Sequence, residues 1–175
     1  MEFNGLPLHA LLVHVVIVFV PLAALVALLS GLWAPVRHRL GVLPPVLALL
    51  AVIVVPINVQ AGEWLFARVV ASEQVQQHAV LGRTLLPWSL ALLVACSLHW
   101  WWHRRAVVAD PAPRRRPGSL PRAVTAVVLA AAVVATALGS LVTVVRIGES
   151  GTAAVWRDTY SPEPIEAESP DHHRE

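Results

Sequence analysis

Lysine is missing from this 175-residue chain, and cysteine, methionine and tyrosine occur once each. All thirteen cationic side chains are arginine and Ala, Val, Leu and Pro abound, a composition that reads as the mark of a GC-rich coding sequence and carries no function. A single cysteine, Cys96, excludes an intrachain disulfide and a multi-cysteine metal site; inside an apolar run it reads as a packing residue. The opening MEFNG has neither Lys nor Arg, so the positive flank of a cleaved signal peptide is lacking. The apolar stretch that follows also outruns a signal core, and it is expected to stay as a first membrane crossing. No nucleophile elbow, phosphate loop or zinc-protease helix occurs, which argues against an autonomous enzyme. Net charge is +2 and the pI near 9.5, yet no recognition motif accompanies the arginines, so no nucleic-acid partner is expected.

What the chain has in excess is apolar sequence, 57% of its residues. Four runs, about 6–33, 40–59, 79–102 and 123–145, each reach the roughly 20 residues that a helix needs to cross the hydrocarbon. The fold class expected is therefore all-α: an integral membrane four-helix bundle over residues 1–156, in contact with the lipid bilayer, followed by a disordered acidic tail over 157–175. Arg37 and Arg39 lie between the first two runs, and Arg104, Arg105, Arg114, Arg115, Arg116 and Arg122 between the last two. That bias makes those loops cytoplasmic and both termini extracytoplasmic. Every acid except Asp110 falls on the other side, in agreement.

Punctuation within the runs is explicit. Pro7 opens the first helix, Pro21 should kink it, Pro44 and Pro45 open the second, and Ser72 caps the third with Glu73 at its positive end. In the fourth run Ala131, Ala135 and Gly139 recur every fourth position, a shallow stripe expected to pack inside the bundle, with Arg146 on the same stripe and so facing protein. The proline-rich and arginine-rich stretch DPAPRRRPGSLPR reads as a solvated loop beside anionic lipid.

In this orientation His9, His14, Gln60, Glu63, His78, Arg83, Arg146 and Glu149 gather at the outer surface. Ionisable side chains at membrane depth are costly and tend to mark a site. Imidazoles on separate helices can ligate a haem b iron, with Arg83 and Arg146 near its propionates; alternatively His9, His14, Glu63 and His78 could hold a transition-metal ion. His9 and His14, five residues apart, lie about 140° apart around a helix, so both face one centre only if the helix opening is irregular. The simpler arrangement uses His14 and His78 with His9 outside the first shell. Electron transfer or cofactor handling would follow, with another membrane protein or redox partner. A purely structural account pairs Arg83 and Arg146 with Glu63 and Glu149 and has His14 bond a carbonyl freed by a proline. His38, His99 and His103, at the cytoplasmic edge, read as interfacial residues, and His172 and His173 as tail residues. The competing class is a non-catalytic membrane subunit or scaffold that packs against a partner. A small-solute transporter is less favoured, because the inner halves of the runs are too apolar to line a path.

The stretches FNGLPLHALLVH, QQHAVLG and RIGESGTAAVW resemble the bacterial predicted-membrane-protein family called domain of unknown function 2231, over about residues 3 to 156. In that family paired histidines on the first helix and a further one before the third match His9, His14 and His78. Members often carry proline after the first histidine and Phe-Pro after the second, where this chain has Ala10 and then Val15 with Val16. The resemblance implies a four-helix fold in the bacterial plasma membrane and no settled activity. The likeness to small four-helix b-type cytochromes is one of architecture.

Overall fold

The computed structural model describes residues 1–109, 120–157 and 161, with side chains omitted for 106–109. Of the expected loop over 110–122, residues 110–119 lie outside the described residues, as does nearly all of the expected tail, while 120–122 are helical and not loop. The chain opens on a two-residue hairpin, β1 (Glu2–Phe3) against β2 (Leu6–Pro7), antiparallel with Phe3 opposite Leu6. Asn4 and Gly5 turn it with φ of 50° and 75°, the paired positive values that a two-residue hairpin turn requires.

Among the described residues five helices follow: α1 (Leu8–Leu32), the short α2 (Ala34–Leu40), α3 (Leu43–Phe66), α4 (Glu73–Ala109) and α5 (Leu120–Trp156). All but α2 are long and apolar enough to cross a membrane. Pro7 is the N-cap of α1, and prolines sit in the first turn of α3. The Ser72 hydroxyl accepts the Val75 N–H at 3.3 Å, capping α4. α1 runs unbroken through Pro21 and α3 through Pro56, so Glu63, Trp64 and Phe66 lie in the last turns of α3.

The long helices form a ring in which α1 packs on α3, α3 on α4, α4 on α5 and α5 back on α1, leaving α1 and α4 on a diagonal. Buried positions repeat by fours and threes: Pro44, Ala48, Ala51, Val55 and Asn58 on α3, Leu85, Ser89, Leu92, Cys96 and His99 on α4, and Val133, Ala137, Ser140 and Val144 on α5. A 3.5-residue period keeps each seam facing its neighbours along the whole helix. Ala23, Ala24, Ala27, Ala48, Ala61 and Ala137 are wholly buried, and such small side chains let helix backbones approach where no hydrophobic force between helices operates. Larger side chains such as Leu25, Ile53, Val94 and Leu138 point outward, as a lipid-facing surface demands.

The α5 stripe runs counter to the expectation. Ala131 and Ala135 are exposed, and Arg146 follows them to the outside. A step of four residues advances about 40° per step relative to the helix, so a strict four-residue repeat drifts off a seam that the 3.5-residue repeat holds. Buried Ser89, Ser140 and Thr143 donate to the Leu85, Thr136 and Gly139 carbonyls of their own helices, and the core between the bundle ends is otherwise apolar.

Candidate functional site

At the end of the bundle where α1 begins and α5 ends, the diagonal between α1 and α4 is closed by two imidazoles. The His9 and His78 rings stand 6.1 Å apart between centroids, edge to face at 74°. Each is fixed by a bond from its Nδ1. His9 Nδ1 lies 3.1 Å from the Asn58 carbonyl oxygen on α3; because a carbonyl only accepts, Nδ1 carries the proton. His78 Nδ1 lies 3.1 Å from Ser150 Oγ on α5, whose own proton goes to the Ile147 carbonyl at 2.9 Å, so the hydroxyl oxygen accepts from His78. Both rings therefore present a lone pair at Nε2. This is the tautomer that a ligating histidine adopts when a neighbouring acceptor orients it.

Two glycines make room for the rings. A Cβ at Gly62 would stand 3.0 Å from His9 Nδ1, and one at Gly151 would stand 3.0 Å from His78 Cε1. Asn58, which supplies the carbonyl, is itself buried, and its Oδ1 has no hydrogen-bond partner among the described residues.

The remaining expected residues are placed differently. His14 is exposed and its Nδ1 bonds the Ala10 carbonyl of its own helix at 2.9 Å, so His78 meets His9 and not His14. The reason is the angular one: only one of two residues five apart can face the diagonal, and the seam through Val16, Val20 and Ala23 selects His9. Arg83 pairs with Glu63 across α4 and α3, Nη2 to Oε1 at 3.1 Å and Nε to Oε1 at 3.2 Å, the arrangement that the structural account expected. Both side chains are more than half exposed, so the pair adds little to stability. Arg146 and Glu149 are exposed, and neither forms an ion pair among the described residues. Gln60 is likewise exposed. Among the described residues no group of three or more His, Cys, Asp or Glu side chains is placed to hold a metal ion, so the set of His9, His14, Glu63 and His78 does not assemble.

Sequence reasoning passed over Asn58, Gly62, Ser150 and Gly151. Small or polar residues a few positions from helix ends were the available signal. Their partners lie 49 and 72 residues away in sequence, which no local pattern reveals.

The family model described as predicted membrane protein (DUF2231) matches residues 5–162, and the chain belongs to that family. No curated protein and no solved structure matches it.

Proposed function

We propose that this integral membrane protein binds haem b at its extracytoplasmic end through His9 and His78, and serves electron transfer or cofactor handling there. The observation that carries the reading is the shared tautomer: two imidazoles from diagonal helices, each anchored at Nδ1 and each with a lone pair at Nε2. Donor count favours haem over a bare ion. An ion asks for about four ligands, and the described residues offer no group of three. Haem occupies its iron's equatorial positions itself and asks the protein for axial ligands only. Bound haem supplies one-electron chemistry. Arg146, exposed and one turn before Ser150, is available to a propionate, whereas Arg83 is already engaged by Glu63.

Purified protein supplied with haem b is expected to show a strong near-ultraviolet band that disappears in His9→Ala and in His78→Ala and persists in His14→Ala. A colourless wild type, or equal loss in His14→Ala, overturns the reading. The orientation rests on the arginine bias of the two opposite loops, and a reporter fused to the carboxyl end is expected to read extracytoplasmic; a cytosolic signal reverses it.

A second reading, a membrane subunit packed against a partner, is favoured by one observation: Ala131 and Ala135 face away from the bundle, beside Val124, Val127 and Val128. A colourless protein that co-purifies with a partner through α5 would support it.

A further inference from the structure

The opposite end of the bundle, 21 residues along α4 from His78 to His99 and so about 31 Å away, holds a second polar cluster of a different character. A cavity of about 200 Å³ opens there among α1, α2, α4 and α5. Its polar lining consists of Ser30, Arg37, His38, His99, His103 and Arg104, with no carboxylate among the described residues. Arg37 is half buried on α2. Its Nη1 reaches the Ser30 and Gly31 carbonyls only at 3.4 and 3.5 Å, and donates to His99 Nε2 at 3.3 Å. Since a guanidinium only donates, His99 is held with its proton on Nδ1.

Two further nitrogens remain. Arg37 Nε and His103 Nε2 are buried, and neither has a hydrogen-bond partner among the described residues. The His99 and His103 rings lie 4.7 Å apart at 69°, and both line the cavity with Arg37. Burial lowers the Arg37 pKa from its ordinary value, but a guanidinium keeps its proton at any biological pH. The cavity therefore contains a fixed positive charge with no counter-ion among the described residues, since the Arg83–Glu63 pair lies at the other end. That charge repels a metal cation from His99 and His103. A half-buried charge without a counter-ion is costly, and the Arg37 Nε–H, buried with no acceptor among the described residues, calls for an acceptor-rich anion.

We propose that this cavity binds a phosphate-type oxyanion, held by the Arg37 fork and by His103 Nε2–H. The depth is that of lipid headgroups: Trp100 lines the cavity, and Arg105 lies over the Trp101 ring at 4.0 Å, the aromatic and basic belt of an interface. The same chemistry serves the phosphodiester of an anionic lipid or free inorganic phosphate. Two arms of one experiment separate them.

Full-length protein is reconstituted in phosphatidylcholine nanodiscs, with and without added phosphatidylglycerol, and inorganic phosphate is titrated into the lipid-neutral sample. Retained lipid is read by native mass spectrometry and bound phosphate by calorimetry. Selective retention of phosphatidylglycerol with no phosphate heat assigns the headgroup; phosphate binding in neutral discs assigns the soluble anion. In either case Arg37→Gln should weaken binding by roughly tenfold or more, the scale of a charge-assisted hydrogen bond, while the exposed Arg39→Gln leaves it unchanged. Should Arg37→Gln fail to fold, Arg37→Lys serves, since it keeps the charge but loses the Nε donor and should also bind more weakly than wild type. The proposal is overturned if wild type prefers neither anion over phosphatidylcholine, or if the Arg37 variants bind as Arg39→Gln does.

Discussion

Gly139→Ala is expected to destabilise the bundle by about 1 to 3 kcal/mol, the range for overpacking a filled interface, and Gly139→Leu is expected to yield no folded protein. A Cβ at Gly139 would overlap the six-membered ring of Trp88, which lies flush against the glycine where α5 meets α4. On helix propensity alone alanine should be favoured over glycine by about 1 kcal/mol, so the two effects oppose each other. Overlap wins because the indole cannot yield by a few tenths of an ångström and must leave its seat entirely. It has somewhere to go, since Trp88 is 39% exposed, and this is why alanine should weaken the fold and not abolish it. The check is a double-mutant cycle by denaturant titration in micelles. With Trp88→Ala in place, Gly139→Ala should cost nothing further, a coupling that independent sites do not show. If Gly139→Ala alone leaves the midpoint unchanged, the contact has been misread.

That glycine also shows where the sequence was legible and where it misled. The four spans, the proline openings and the Ser72 cap are local chemistry, and each could be read from a handful of neighbouring residues. So could the Asn4-Gly5 turn, whose dipeptide is the strongest short hairpin signal. Gly139 was read as part of a stripe for a helix backbone, but the group that approaches it is an indole from α4, and the rest of the stripe faces outward. The error was one of period. Counting by fours followed Ala131 and Ala135 around the helix, whereas counting by fours and threes through Val133, Ala137, Ser140 and Val144 stays on the buried seam.

The same count on α4 passes from Leu92 through Cys96 to His99, which places a histidine on the buried seam and His103 one turn beyond. It was therefore readable that these two are not ordinary interfacial residues. Arg37 and its neighbours also carry the arginine bias that orients the chain, so their charge alone does not single out a site. At the other end, which of His9 and His14 faces inward was decidable only once the α1 seam was known. Asn58 and Ser150, which set the ring tautomers, depend on contacts between helices that no spacing within one helix encodes.

Leu92→Ala is expected to cost about 2 kcal/mol, toward the low end of the 2 to 5 kcal/mol seen for buried leucines in water-soluble proteins. Leu92 is among the largest wholly buried side chains and sits amid Ala23, Ala27, Ala48, Ala95, Cys96 and Val133, contributed by all four long helices. In water the loss has two parts, transfer of the side chain and the void left behind. In a bilayer the first part nearly vanishes, because a helix that has come apart from its neighbours still holds Leu92 against lipid chains as apolar as the core. What remains is the dispersion lost across the void, since small alanines on four helices cannot collapse into it without shifting whole backbones. Leu25→Ala, at a lipid-facing position, should change the unfolding midpoint little, because lipid fills the space that the side chain leaves. A second readout is independent of any stability scale. Cys96, 2% exposed in the same cluster, is the chain's sole thiol, and a void beside it should speed its reaction with a small membrane-permeant alkylating reagent in Leu92→Ala and not in Leu25→Ala. Equal midpoints for the two variants, together with equal labelling of Cys96, would mean that the packing around Leu92 does not hold the bundle together.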